Sequence, residues 1–149
     1  MTPSTFFLLN LALAFYNVGT IWAHEIDIFR TWALVDRHDF HRIQVAHWRK
    51  LPYWVFVPVG LGLAGSIGLL WYHPADVPNT MLWAALWTQL VAHISTAVFW
   101  GPLQAKLSRD ERGSLSPYLA KILSTHWIRT ALISAYALIL LAAAMGVWR

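Results

Sequence analysis

Four runs of apolar residues constrain this chain more than any other feature: Thr5–Ala23, Leu51–Tyr72, Met81–Leu107 and Leu119–Trp148. As a helix rising about 1.5 Å per residue, each is long enough to cross the ~30 Å hydrocarbon core of a bilayer. Inside that core every backbone N–H and C=O must be paired within the protein, which leaves helices as the solution for segments of this length. The expected fold is therefore all-α: an integral membrane four-helix bundle, with residues 1–149 forming a single transmembrane domain. Its helices are expected at about residues 5–23, 51–72, 81–107 and 118–148. Composition agrees, since 58% of residues are hydrophobic and only 12% charged, against about a quarter charged in soluble domains. That low charge argues against a soluble bundle of apolar helices. The first run lacks a basic leader, and His24-Glu25 follow it where a small-residue cleavage site would stand. It reads as a helix of the mature protein and not as a signal peptide.

Charge placement sets the expected orientation. The segment 24–50 carries Arg30, Arg37, Arg42, Arg49 and Lys50, and the third run is followed by Lys106, Arg109 and Arg112. The connection His73–Thr80 carries neither lysine nor arginine. By the positive-inside rule both basic segments are expected to face the cytoplasm, and both termini the other side of the membrane. The net charge of +4 then reads as topology and contact with anionic lipid, not as nucleic-acid binding. There is no cysteine, so disulfides, thiol chemistry and iron–sulfur ligation are excluded.

Within 24–50, Ile28, Phe29, Trp32 and Val35 recur among charges, as in an amphipathic segment lying in the cytoplasmic interface. Asp36–Asp39 reads as a break, with Asp39 as N-cap for Phe40–Lys50. Pro52 suits the start of helix 2. Helix 2 carries small residues at four-residue spacing, Gly60, Ala64 and Gly68 and then Gly62 and Ser66, which marks it as packing surface. Pro58 is expected to bend it.

Polar residues in the other three helices fall into stripes. Helix 1 offers Asn10, Asn17 and His24. Helix 3 offers Gln89, His93, Thr96, Trp100 and Gln104, and helix 4 offers His126, Arg129 and Thr130 with Lys121 at its mouth. Spacings of three, four and seven place each set on one helix face. Because lipid cannot hydrogen-bond them, such faces point into the bundle. At about 1.5 Å per residue, His24 lies near the cytoplasmic boundary. Trp100 and His126 lie roughly 7–10 Å inside it, and Asn17, Arg129 and His93 about 13–18 Å. The groups so gather in the cytoplasmic half, as for a pocket reached from that side. An arginine at this depth needs a counter-charge, acceptors or a ligand.

Seven histidines raise the question of a metal. The His38/His41 pair reads as part of a solvated basic face, and the clustered HxxxH and HxxHH boxes of membrane di-iron hydroxylases are missing. The stronger metal set is His24, Glu25 and His126, with His93 deeper; imidazole and carboxylate suit zinc, iron or copper. A b-type haem between His93 and His126 is the other cofactor reading, and the ~8 Å difference in their depths counts against it. The sequence requires no cofactor.

The runs Ser95-Thr96-Ala97, Pro102-Leu103-Gln104-Ala105-Lys106-Leu107 and Thr125-His126-Trp127-Ile128-Arg129-Thr130 resemble a group of uncharacterised bacterial four-helix integral membrane proteins. Phe29-Arg30, Val35-Asp36-Arg37, Phe40 and His47 extend the likeness through the first half. The group is remotely similar to anthrone-oxygenase-like membrane proteins, and carries Asn or His at the position of His126. The resemblance implies a four-helix membrane fold.

Two functions follow as expectations. In the first, a cytoplasm-facing pocket binds a small apolar or aromatic molecule, as in an oxidoreductase. Arg129 holds an oxyanion or carbonyl, His126 exchanges protons, Asn17, His93, Thr96 and Gln104 line the site, and Trp100 and Trp127 form aromatic walls. In the second, the chain is a non-catalytic scaffold or accessory subunit of a homo-oligomer or larger membrane complex.

Overall fold

The computed structural model describes residues 1–147. Four continuous helices make the fold: α1 (Pro3–Trp32), α2 (Arg37–Leu69), α3 (Asn79–Leu107) and α4 (Pro117–Val147). All four are long and apolar enough to cross a membrane, and no strand occurs among the described residues. They run up-down-up-down, each packing on its neighbours in sequence, with α1 closing against α4. The expected end of the last helix at Trp148 lies outside the described residues.

Helices of about 30 residues exceed the ~30 Å hydrocarbon thickness, and this changes the reading of segment 24–50. It does not form a separate amphipathic segment. It continues α1 to Trp32 and opens α2 at Arg37, so that two helices meet in a short turn. Phe29, Trp32 and Phe40 are buried there against Leu107, Leu119 and Ile122. The apolar positions that suggested contact with an interface are satisfied inside the protein. Asp36, and not Asp39, caps α2, its carboxylate accepting from the His38 N–H at 2.8 Å.

Three of the four helices contain a single widened π-turn: His24–Ile28 in α1, Pro52–Phe56 in α2 and Thr96–Trp100 in α3. Two of these have a plain cause. A proline ring clashes with the carbonyl four residues back and offers it no N–H. For Pro58 and Pro102 those carbonyls belong to Trp54 and Val98, both inside a π-turn, where the backbone is displaced. The Trp54 carbonyl accepts instead from the Tyr16 hydroxyl at 3.0 Å. Pro52 consequently sits within α2 and does not begin a helix. At the α3 turn the Gly101 N–H reaches back to the Thr96 carbonyl, and a Cβ on residue 101 would come within 3.0 Å of that oxygen.

Of the two expected small-residue sets on α2, the Gly62/Ser66 pair faces the bundle: Gly62, Ser66 and Leu69 are buried, while Gly60 and Ala64 are exposed. A Cβ at Gly62 would lie 3.1 Å from Asn17 Nδ2, and one at Gly65 only 1.6 Å from Asn10 Oδ1. These two glycines make room for the asparagines of α1. Ser66 hydrogen-bonds the buried Tyr136 hydroxyl of α4 at 2.9 Å across the bundle centre.

Candidate functional site

The three π-turns lie at one level and their residues meet around a cavity of about 190 Å³. The α1 turn contributes His24, the α2 turn Val55 and Phe56, and the α3 turn Thr96 and Ala97. Asn17, His93, Ile133 and Arg129 complete most of its wall. A π-turn inserts one residue and re-aims the side chains around it, which is why such turns recur at functional sites. Phe56 is 53% exposed and Ala97 is also exposed. The cavity therefore has an opening on the flank of the bundle between α2 and α3.

Arg129 is the one cation lining this cavity. It makes no hydrogen bond or ion pair among the described residues, and it is half-buried. Asn17 Oδ1 and His93 Nε2, on two other lining residues, are likewise buried without a partner. The Thr96 hydroxyl is already committed to the Ala92 carbonyl at 2.6 Å. His24 bonds the Thr20 carbonyl through Nδ1 at 2.7 Å, so Nδ1 carries the proton and Nε2 is left as the acceptor of the neutral ring. Its ring stacks on Trp54, 5.2 Å between centroids. A second cavity of about 90 Å³ adjoins the first around Arg129, Thr96 and His24, and adds Gln104, His47 and Trp48.

His126 and Trp100 do not line either cavity. His126 is fully buried; its Nδ1 donates to Glu25 Oε2 at 2.8 Å, and its ring meets Phe29 edge-on at 4.7 Å. Glu25 Oε1 in turn accepts from Arg30 at 3.3 Å. Trp100 is 3% exposed and donates to the Thr125 hydroxyl at 3.2 Å. Trp127 faces outward at 58% exposure and supplies no wall to the site. Of the expected residues, the structure brings together Asn17, His24, His93, Thr96, Gln104 and Arg129, and separates His126, Trp100 and Trp127 from them.

No protein family, curated protein or solved structure matches the chain.

The metal set of His24, Glu25 and His126 is not assembled. Glu25 and His126 bond each other, while His24 turns to Thr20 and Trp54. Among the described residues no three His, Cys, Asp or Glu side chains gather at ligand spacing. A haem shared by His93 and His126 meets a similar obstacle, since only His93 borders the cavity.

Sequence reasoning gave His47 no place in the site, yet its ring lies 5.3 Å from His24 and 5.1 Å from Trp32, both edge-on. The signal was present in the spacing. Phe40, Gln44, His47 and Leu51 recur at three to four residues, a buried helix face once the segment is known to be helical.

Proposed function

We propose that the chain is a bacterial inner-membrane protein whose intramembrane cavity binds a small aromatic molecule through a carbonyl or oxyanion oxygen held by Arg129. The observation that carries this reading is a guanidinium with no protein partner facing a cavity inside an apolar bundle. An arginine at membrane depth is costly and needs acceptors, and among the described residues none is hydrogen-bonded or ion-paired to it. Bidentate recognition of a carboxylate, or polarisation of a carbonyl, is what its fork geometry suits.

Size and lining favour one ring. A cavity of about 150 Å³ holds benzene, so about 190 Å³ accommodates a single ring with one or two substituents. Ile21, Val55, Val59 and Ile133 supply apolar walls. The lateral mouth suits a ligand that partitions into lipid. Asn17 Oδ1 is a free acceptor for a ligand hydroxyl, and His93 Nε2 is a second free polar atom on the wall. Toward a carbonyl ligand, Arg129 would act as a charge-assisted donor that polarises the oxygen. The resemblance of the Thr125–Thr130 run to bacterial four-helix membrane proteins supports the membrane setting. So does the folding of both basic segments to one end, where Arg37 donates to the Glu111 carbonyl at 2.9 Å. By the positive-inside rule that end faces the cytoplasm.

Titration of the detergent-solubilised full-length protein with benzoate, benzaldehyde and 1,4-benzoquinone in a calorimeter tests the reading. At least one probe is expected to bind, and Arg129→Gln to weaken it about ten- to hundredfold, the worth of one charge-assisted hydrogen bond. Trp127→Leu should leave it unchanged. If a folded protein binds none of the three, the scaffold or accessory-subunit reading takes its place.

A further inference from the structure

A separate pocket, of about 270 Å³, lies at the basic end, between the first turns of α2 and the loop that joins α3 to α4. Its floor is Gln44, 1% exposed, whose amide nitrogen and oxygen both lack a partner. A buried amide left unpaired on both sides is costly, and this one lines an open pocket. Arg37 and Arg109 stand on its rim with His41 and Glu111. Arg37 uses Nε on the Glu111 carbonyl, which leaves its two terminal nitrogens free, and Arg109 has no partner among the described residues. Asp110 is not available to them. Its carboxylate is taken by Arg112 at 2.8 Å and by the Ser116 hydroxyl at 2.7 Å, and those bonds hold it well below the usual carboxylate range.

The free groups are complementary to a zwitterion. Two guanidinium groups and the Gln44 N–H₂ are donors for a phosphoryl group. The Gln44 carbonyl oxygen and the Glu111 carboxylate are acceptors for a neighbouring ammonium. The pocket sits where α3 leaves its apolar run at Leu107, which is the level of lipid headgroups in a bundle that spans a bilayer. We propose that this pocket binds a phosphoethanolamine group, independently of what occupies the intramembrane cavity. Phosphatidylethanolamine and soluble phosphoethanolamine carry the same chemistry.

Native mass spectrometry of the full-length protein, delipidated and then offered equal amounts of phosphatidylethanolamine and phosphatidylcholine, tests this. Choline has no N–H to give Gln44 or Glu111, so phosphatidylethanolamine should be retained about tenfold better. Arg109→Ala, an exposed change, and Gln44→Leu, which replaces an unpaired amide by an apolar side chain of similar size, should each remove most of that preference. Soluble O-phosphoethanolamine raising the melting temperature of the delipidated protein as much as the lipid does would support the site and assign it to the soluble compound. Equal retention of the two lipids by the wild type, or a preference untouched in both variants, would overturn the proposal.

Discussion

His126 and Arg129 stand three residues apart on α4 and meet different fates. Three residues advance a helix by about 300°, so the two side chains diverge by about 60°. That is enough to send one into the cavity and the other into the seam with α1. Periodicity alone placed them on one face, and it could not resolve this divergence. The π-turn at His24 compounds it: His24 and Glu25 are neighbours in sequence and both buried, yet His24 serves the cavity while Glu25 clamps His126. His126 therefore reads as a positioning residue for the α1–α4 contact. Removing its partner should cost about 1–3 kcal/mol, the penalty for orphaning a buried donor. Glu25→Ala is accordingly expected to lower the melting temperature by several degrees, and Glu25→Gln, which keeps an acceptor, by less than half as much. Equal losses from both would mean that the hydrogen bond is not what holds this seam.

At the level of elements, the four spans were legible because apolar runs of this length have few alternatives. Continuity was legible through Pro58 and Pro102 but not through Pro52, which reads as a helix start; the structure keeps each helix going past these prolines with a π-turn. The small residues of α2 were legible as packing surface, but spacing alone could not choose between the two sets, and it is Gly62 and Ser66 that are buried while Gly60 and Ala64 are exposed. Gly65, outside the expected stripe, is the position with least room. Gly65→Ala would place a methyl group 1.6 Å from Asn10 Oδ1 and should destabilise the α1–α2 contact severely. Adding Asn10→Ala should recover most of the loss. Gly60→Ala, with nothing within 4 Å of the new Cβ, should be close to neutral. Thermal melts of the three variants in one detergent decide this, and a failure of Asn10→Ala to rescue would show that Gly65 matters for another reason.

For the whole molecule, charge placement gave an orientation that the fold makes geometrically consistent, since the two basic segments pack together at one end. The chain's lack of cysteine allows a clean test with single cysteines and a membrane-impermeant maleimide on intact cells. Cysteines at Leu34 and Glu111 should label only after lysis, and one at Asp76 should label before it. Leu34 and Glu111 on opposite sides would contradict the bundle itself. The sequence suggested entry from the cytoplasmic side; the flank opening at Phe56 and Ala97 depends on how closely α2 and α3 approach, which no spacing encodes. An unpaired charge kept inside such a bundle costs stability, and a functional site is where that cost is tolerated. The melting temperature of Arg129→Met in detergent, without added ligand, tests this most directly. Methionine fills similar volume without the charge, so the variant is predicted to melt higher than wild type and to lose all response to benzoate, benzaldehyde and 1,4-benzoquinone. A variant that melts lower, with those responses intact, would show that Arg129 holds the fold together and not a ligand.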